Sequence, residues 1–393
     1  MAPCCASSGA VGPWFRAATL GNWLVGLGLA AVQPGRSCKK RWSFVSGSQS
    51  FRKLNSGRKL NQSDSSSVDQ DEVRRFAEQA ADWWKPFGPA AMLQRMNTTR
   101  IQFIRQVVSA TLGHNVDEQL AAKSAVAENN RLEQTSNMSL HGLRVLDVGC
   151  GAGLLTESLA LLGPHITAID AAEEAIAVAQ RRQDSMRALV EREQRSSQRT
   201  LQSVRATRIA ERIRYRCITV EQLAQESEHL ESYDIVTALE ILEHVQSPRP
   251  FLANLVRMLR PGGVLFISTL DRSAVSYLVA IGLAERLFGF LPKGTHDWRR
   301  FVQPEELCEA LLTIAWSEDT PTEVIESRRG PMEILRISGL VFDLLSGGFQ
   351  LSTCTDVNYI CAARKRHVMH DPSAKRERMV PVTSQVAEGV ASR

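Results

Sequence analysis

The first 63 residues of this 393-residue chain hold no aspartate and no glutamate. Nine of the chain's 47 lysines and arginines lie there, at Arg16, Arg36, Lys39, Lys40, Arg41, Arg52, Lys53, Arg58 and Lys59. The remaining 38 face 42 acidic residues, so the body is slightly acidic. A general nucleic-acid binder carries its basic residues throughout, which argues against that class. Basic, serine-rich and acid-free is instead the composition of a mitochondrial transit peptide. Residues 20–32 have the length of a secretory signal core, too short to span a bilayer comfortably. A secretory signal, however, leaves the arginine and serine that continue to position 63 unexplained. No Cys-x-x-Cys occurs among the eight cysteines, at 4, 5, 38, 150, 217, 308, 354 and 361, which supports neither a zinc framework nor a redox pair. The five beyond the leader read as reduced thiols. No later stretch has the length and freedom from charge of a transmembrane helix, and no internal repeat suggests a solenoid.

What is present is an alternating pattern. Residues 69–84 place Val73, Phe76, Ala77, Ala80 and Trp84 at helical spacing, with acidic residues in the first turn and Pro86 as the stop. A second helix is expected over about 98–112, and 113–140 read as a linker. From Leu143, "LRVLDVG" is a continuous apolar run ending at glycine, as a buried parallel strand does. "HITAID", "YRCITV", "YDIVTALE", "GVLFIST" and "VNYICAAR" give further strands, separated by helical stretches such as "LTESLALLG" and "RPFLANLVRMLRPGG". Strands alternating with helices predict an α/β, doubly wound, mainly parallel sheet. The polar residues after Arg364 are expected to be disordered.

"VLDVGCGAG" sets Gly149, Gly151 and Gly153 between a strand and a helix. Glycines let a backbone approach a ligand, and a helix N-terminus favours negative charge. A dinucleotide fingerprint wants Gly-x-Gly-x-x-Gly, and Leu154 stands where its third glycine belongs, so a nicotinamide enzyme is disfavoured. Gly-x-Gly-x-Gly preceded by Asp147 is the pattern of S-adenosylmethionine-dependent methyltransferases. Asp170 closes the second strand, where a carboxylate accepting hydrogen bonds from ribose hydroxyls is expected. Asp147 has two compatible readings: part of the ligand site, or a brace for the loop through backbone N–H groups.

The stretches "FAEQAADWW", "MNTTRIQFI", "VLDVGCGAGLLTESLA", "TAID", "YDIVTALEILEHV", "LRPGG", "FISTLDRS", "LPKGTHDW" and "DVNY" extend from about 76 to 363. Across them the chain resembles the ubiquinone-biosynthesis O-methyltransferases of mitochondria and bacteria. The resemblance implies a Rossmann-like, seven-stranded class I methyltransferase sheet with its last strand antiparallel, preceded by N-terminal helices. It implies methyl transfer from S-adenosylmethionine to catechol hydroxyls of polyprenylated intermediates, at polyprenyl-dihydroxybenzoate and demethylubiquinol steps. Its donor-binding positions fall on Arg100, Gly149, Asp170 and Leu239, and its magnesium ligands on Glu240, Glu243 and His244. It further implies a peripheral place on the matrix side of the mitochondrial inner membrane, contact with surface lipids, a multi-enzyme complex and no nucleic-acid partner. The domains expected are 1–66 transit peptide and linker, 67–140 N-terminal helices and linker, 141–364 methyltransferase domain and 365–393 tail. Leu239 stands where many relatives have methionine, an exchange that keeps an apolar contact. Residues 181–214, with ten arginines against four acids, are longer than in relatives. They read as a solvated helix extension, or as a contact for anionic lipid or a partner protein.

"ALEILEHV" (238–245) carries Glu240, Glu243 and His244, and if the turn is helical their spacing puts them on one face. Two carboxylates suit Mg²⁺, whereas histidine suits zinc, manganese or iron better. His244 therefore has three candidate roles: metal ligand, general base for the hydroxyl, or orienter of the substrate. Glu243 shares the catalytic assignment with it. Acidic residues are also favoured in any first helical turn, so the motif alone has a plain structural reading. Residues 273–298 are apolar with few charges, and read as a lid dipping into the membrane interface with Lys293 near headgroups, or as a core or cap helix. Rival functions are methylation of another small phenol or carbon site, and a donor-binding scaffold of a biosynthetic complex.

Overall fold

The protein's structure, a computed structural model, describes residues 67–124, 139–196, 200–273, 276, 298–314, 330–343 and 345–367. The expected leader, the tail from 368 and nearly all of the 273–298 stretch lie outside the described residues. Asp69 caps the first helix, α1 (Gln70–Gln79), by accepting the Asp71 N–H at 3.1 Å. A 3₁₀ turn (Ala80–Asp82) carries the chain to Trp83 and Trp84, and α2 runs over Ala91–Ser124. It begins before and ends beyond the helix expected at 98–112. No proline interrupts it, and the lone Gly113 costs a helix only about 1 kcal/mol.

The remaining elements, in order, are β1 (Arg144–Val148), α3 (Leu154–Ala160), β2 (His165–Asp170), α4 (Glu173–Ser196), α5 (Leu201–Arg212), β3 (Ile213–Cys217), α6 (Val220–Leu223), β4 (Tyr233–Leu239), α7 (Pro248–Met258), β5 (Leu259–Leu270), α8 (Pro304–Leu312), β6 (Met332–Asp343), β7 (Gly348–Ser352) and β8 (Asn358–Lys365). The sheet order is β3-β2-β1-β4-β5-β8-β6-β7. The first five strands are parallel and β8 enters antiparallel beside β5, as the family resemblance implies. The chain departs from a seven-stranded sheet by adding β7, an antiparallel hairpin partner of β6. Five residues that begin at Gly348 and follow Gly347 carry too little alternation to announce a strand. Within the Arg-rich 181–214 segment, the described residues form the end of α4, all of α5 and the start of β3, and the two helices pack side by side.

Alternate residues of the central strands feed two apolar clusters. Leu146, Val236 and Ile267 join α7 and α8 in one, while Val145, Ile235 and Phe266 join α2, α3 and α4 in the other. Helices therefore cover both faces, as a parallel sheet requires. Phe103 of α2 is fully buried and meets Phe266 of β5 edge-on, with ring centroids 6.2 Å apart. The N-terminal layer is thus core and not a loose cap. Crossovers run in opposite directions from β1 and β4, so the crevice beyond their carboxyl ends is the topological switch point.

Truncating Phe103→Ala is expected to cost about 3–5 kcal/mol, the range for a buried aromatic. Urea unfolding of wild type and variant measures it; a loss below about 1 kcal/mol would show α2 to be peripheral.

Candidate active site

A cavity of about 530 Å³ opens at that crevice, between the carboxyl ends of β1, β2, β4 and β5 and the N-terminal layer. Arg100, Gly149, Asp170, Leu239, Glu240, Glu243 and His244 all line it, so the structure brings together every site residue read from the sequence.

The glycine loop forms one wall. The N–H groups of Gly149 and Cys150 donate to the Ile169 carbonyl at 2.9 and 3.1 Å, tying the loop to β2. Gly149 has φ +73°, and a Cβ there would stand 2.3 Å from Cδ1 of Ile241. Gly151 has φ +52°, and a Cβ there would enter the Trp83 ring at 2.0 Å. Trp84 donates from Nε1 to the Ala152 carbonyl at 2.9 Å. The adjacent tryptophans of the N-terminal layer thus sit directly on the loop. Arg182 holds Trp84 from the far side, its guanidinium 3.4 Å from the ring centre and bonded to both carboxylate oxygens of Glu157.

The two aspartates divide their work. Asp170 accepts the N–H of Gly151 through Oδ2 and that of Ala172 through Oδ1, both at 2.8 Å. Each oxygen keeps a second lone pair for a ribose hydroxyl. Burial raises its pKa even so, against three backbone hydrogen bonds. Asp147 does brace the loop, but not through the backbone N–H groups anticipated. It accepts the hydroxyls of Thr156 (2.6 Å) and Thr237 (2.7 Å), linking β1 to α3 and β4. Complete burial pushes its pKa up to about 6, the two hydroxyl bonds opposing.

Arg100 crosses from α2 to the end of β4. Its Nη2 lies 3.1 Å from Oε1 of Glu240, near enough for an ion pair but not aligned as a hydrogen bond. Among the described residues, neither Nη2 nor Nε of Arg100 has a hydrogen-bond acceptor, although the side chain is only 4% exposed. A buried guanidinium with unmet donors facing a cavity is an anion receptor. Glu240 is also held by Ser268, whose Oγ donates to Oε1 at 2.5 Å, and by Asn358, whose Nδ2 donates to Oε2 at 2.9 Å. Its backbone is left-handed, with φ +54°, an unusual conformation for a residue with a side chain.

That conformation overturns the helical-face argument for the triad. Only Leu242–His244 form a turn, and it is 3₁₀. Glu243 points into the core, 3% exposed, and accepts the Thr269 hydroxyl at 2.7 Å. Burial raises its pKa, the Glu240 charge adds to this and His244 opposes it. His244 turns the other way, its Nδ1 3.0 Å from Oε2 of Glu72 and its ring edge-on to Phe76, with centroids 4.8 Å apart. Burial would raise the Glu72 carboxyl, but the His244 hydrogen bond and the charges of His244, Arg75 and Arg300 hold it below the usual range.

The triad lines one wall without converging. Among the described residues, the group of three His and carboxylate side chains whose ligand atoms lie within 4.8 Å of one another is Glu226, Glu228 and His229 instead. There Arg216 already grips Glu226 through both nitrogens, at 2.6 and 2.7 Å. A hard cation still suits the Glu240–Glu243 wall chemically, because two carboxylates line it and the Glu240 charge disfavours ionisation of Glu243. Sequence reasoning missed Glu72, Ser268, Thr269 and Asn358 as site partners. The last three lie in "FISTLDRS" and "DVNY", so the family stretches held the signal; Glu72 read only as a first-turn acid.

The raised Asp147 carboxyl makes a signed prediction. Its folded pKa, about 6, exceeds the ordinary 3.8 of an unfolded aspartate. Between these values the unfolded chain releases the proton first, so stability falls as pH rises through about 4 to 6. Asp147→Asn lacks this loss, which amounts to about 3 kcal/mol across the window. Tm measured against pH should show the variant gaining on the wild type; parallel curves would contradict the assignment.

A methyltransferase-domain family model matches residues 96–313. The chain is 36% identical over 301 residues to the ubiquinone biosynthesis O-methyltransferase of Methylocella silvestris, covering 77% of this chain and 96% of the relative. It is 31% identical over 297 residues to the protein of the same name from Marinobacter nauticus, covering 76% and 96%. A third of that name, from Parvibaculum lavamentivorans, is 32% identical over 300 residues, covering 76% and 95%. With its glycine loop, strand-end aspartate and antiparallel last strand, the chain belongs to the ubiquinone-biosynthesis O-methyltransferase family, whose methyltransferase domain it carries.

Proposed function

We propose that the chain methylates a hydroxyl of a polyprenylated catechol in ubiquinone biosynthesis, with S-adenosylmethionine as donor. One observation carries this reading: the glycine loop and the unsatisfied Arg100 guanidinium face the same cavity as the Glu240–Glu243 pair and His244. In this reading a donor site and a site for an acidic hydroxyl adjoin.

In this reading Arg100 grips the donor's carboxylate, Asp170 takes the ribose hydroxyls, and the backbone at Gly149 lets the donor approach. Leu239, 8% exposed at the end of β4, supplies an apolar contact. Methionines and phenylalanines of α2 and the β6–β7 hairpin (Met92, Met96, Phe342, Phe349) give the cavity an apolar flank suited to a prenyl tail. Glu240 and Glu243 are the residues that would hold Mg²⁺. When bound, the ion supplies charge stabilisation that lets a catechol hydroxyl lose its proton. His244 either completes that ligand set or accepts the proton. In the transfer an O–CH₃ bond forms as the S–CH₃ bond breaks, leaving S-adenosylhomocysteine. The protein contributes chiefly positioning and electrostatics.

A mitochondrial placement is supported by the composition of residues 1–63, and a peripheral position on the matrix side of the inner membrane is what the family resemblance implies. No described helix is long and apolar enough to cross a membrane. A water-insoluble tail favours lipid contact, and a place in a multi-enzyme complex would pass such intermediates between enzymes. The two steps proposed are methylation of a polyprenyl-dihydroxybenzoate and of demethylubiquinol.

The test offers the full chain S-adenosylmethionine and a short-chain prenylated catechol, read by mass spectrometry. Methylation is expected, lost with EDTA and restored by Mg²⁺. Methylation that resists EDTA removes the metal, and no methylation of any catechol favours a donor-binding scaffold.

A further inference from the structure

We propose that Asn97 of α2 receives, at Oδ1, the ammonium of the methyl donor's amino-acid end. With Arg100 taking the carboxylate, one turn of α2 then holds both charges of that zwitterion. The inference deepens the donor-binding reading given above and rests on it.

Asn97 lines the cavity and is 8% exposed. Its Nδ2 donates to the Leu154 carbonyl at 2.9 Å, where the glycine loop passes into α3. That bond fixes the orientation of the amide. Flipped, it would set Oδ1 against the carbonyl oxygen, two acceptors face to face. Oδ1 is therefore the other end, and among the described residues no group donates to it. A buried acceptor left unmet costs stability, so its retention beside a cavity calls for a donor from a ligand.

Arg100 follows one turn later on α2, so the two residues share a helix face, with Cβ atoms about 5–6 Å apart. The ammonium and carboxylate of an amino acid sit on one carbon, and receptors one turn apart can hold both at once. The chemistry is complementary, since a guanidinium only donates and an amide oxygen only accepts. A neutral acceptor also suits the place better than a carboxylate, which would compete with Glu240 for Arg100. The turn is anchored on three sides. Asn97 is tied to Leu154, Thr99 donates to the Phe349 carbonyl of β7 at 2.6 Å, and Arg100 pairs with Glu240 at the end of β4. A receptor held this firmly needs little ordering when its ligand binds. Glu240 is the rival acceptor for the ammonium, but Ser268 and Asn358 already donate to its two oxygens.

The experiment titrates the full chain calorimetrically with two ligands. One is S-adenosylhomocysteine; the other is its deamino analogue, which keeps the carboxylate and lacks the amine. The ratio of the two affinities reports the grip on the ammonium, and a general weakening of the site leaves that ratio unchanged. Wild type should prefer S-adenosylhomocysteine by about tenfold, the usual worth of a hydrogen bond to a charged group. Asn97→Leu, close to isosteric, should bring that preference below about twofold. Asn97→Asp keeps an acceptor while losing the bond to Leu154, so its preference should persist. Asn97→Ala repeats the leucine measurement with no branched side chain to accommodate, and thermal melting confirms that each variant is folded. Equal affinity of wild type for the two ligands overturns the proposal. A preference that persists in Asn97→Leu or Asn97→Ala also overturns it, because the ammonium then has another acceptor. Losses that fall equally on both ligands in the Leu and Asp variants leave Asn97 a structural role alone and overturn it as well. A wild type that binds neither ligand overturns the donor reading itself, and the inference with it.

Discussion

The site is organised around a buried charge pair that is not fully satisfied. Arg100 and Glu240 come from elements far apart in sequence, one on the covering helix and one on the sheet edge, and meet at 3.1 Å with almost no exposure. Removing one partner of such a pair typically costs about 3–5 kcal/mol, because the other is left as an uncompensated buried charge. The pair therefore fixes where α2 sits relative to β4. Ser268 and Asn358 attach Glu240 to β5 and β8, so one carboxylate ties four elements together. The left-handed backbone at Glu240 is the strain that accompanies this convergence.

The same constraint explains why the N-terminal layer belongs to the site. Trp83 and Trp84 cover the glycine loop, Arg100 reaches the crevice, and Glu72 meets His244. A glycine-loop sheet alone offers half a cavity; the helices supply the other wall and its positive charge. Asp147 shows how the interior is kept rigid: its two threonine hydroxyl bonds lock β1, β4 and α3 at the point where the loop leaves the sheet.

Much of this was legible in the sequence, for physical reasons. The order of strand, glycine loop, helix and strand-end acid is local, so Gly149 and Asp170 could be placed by spacing. Buried parallel strands are long apolar runs, which made β1, β4 and β5 visible. The short hairpin strand β7 was not legible, because five residues that begin at one glycine and follow another carry no clear alternation. The helical face expected for Glu240, Glu243 and His244 did not form, for an instructive reason. Helical spacing assumed a regular turn, whereas a positive φ at Glu240 and a 3₁₀ turn send Glu243 inward and His244 toward α1. Glu72 could not be found by pattern, since an acid in a first turn is already favoured by the helix dipole and its partner is 172 residues away.

In the proposed function the unmet donors of Arg100 receive the carboxylate of the methyl donor. Calorimetric titration of wild type and Arg100→Lys with two ligands tests it most directly: S-adenosylhomocysteine, which carries the carboxylate, and 5′-methylthioadenosine, which does not. Lysine keeps the charge opposite Glu240 but lacks the planar fork. Arg100→Lys should lose tenfold or more in affinity for S-adenosylhomocysteine and less than twofold for methylthioadenosine. Equal losses for the two ligands, or none for either, would contradict it.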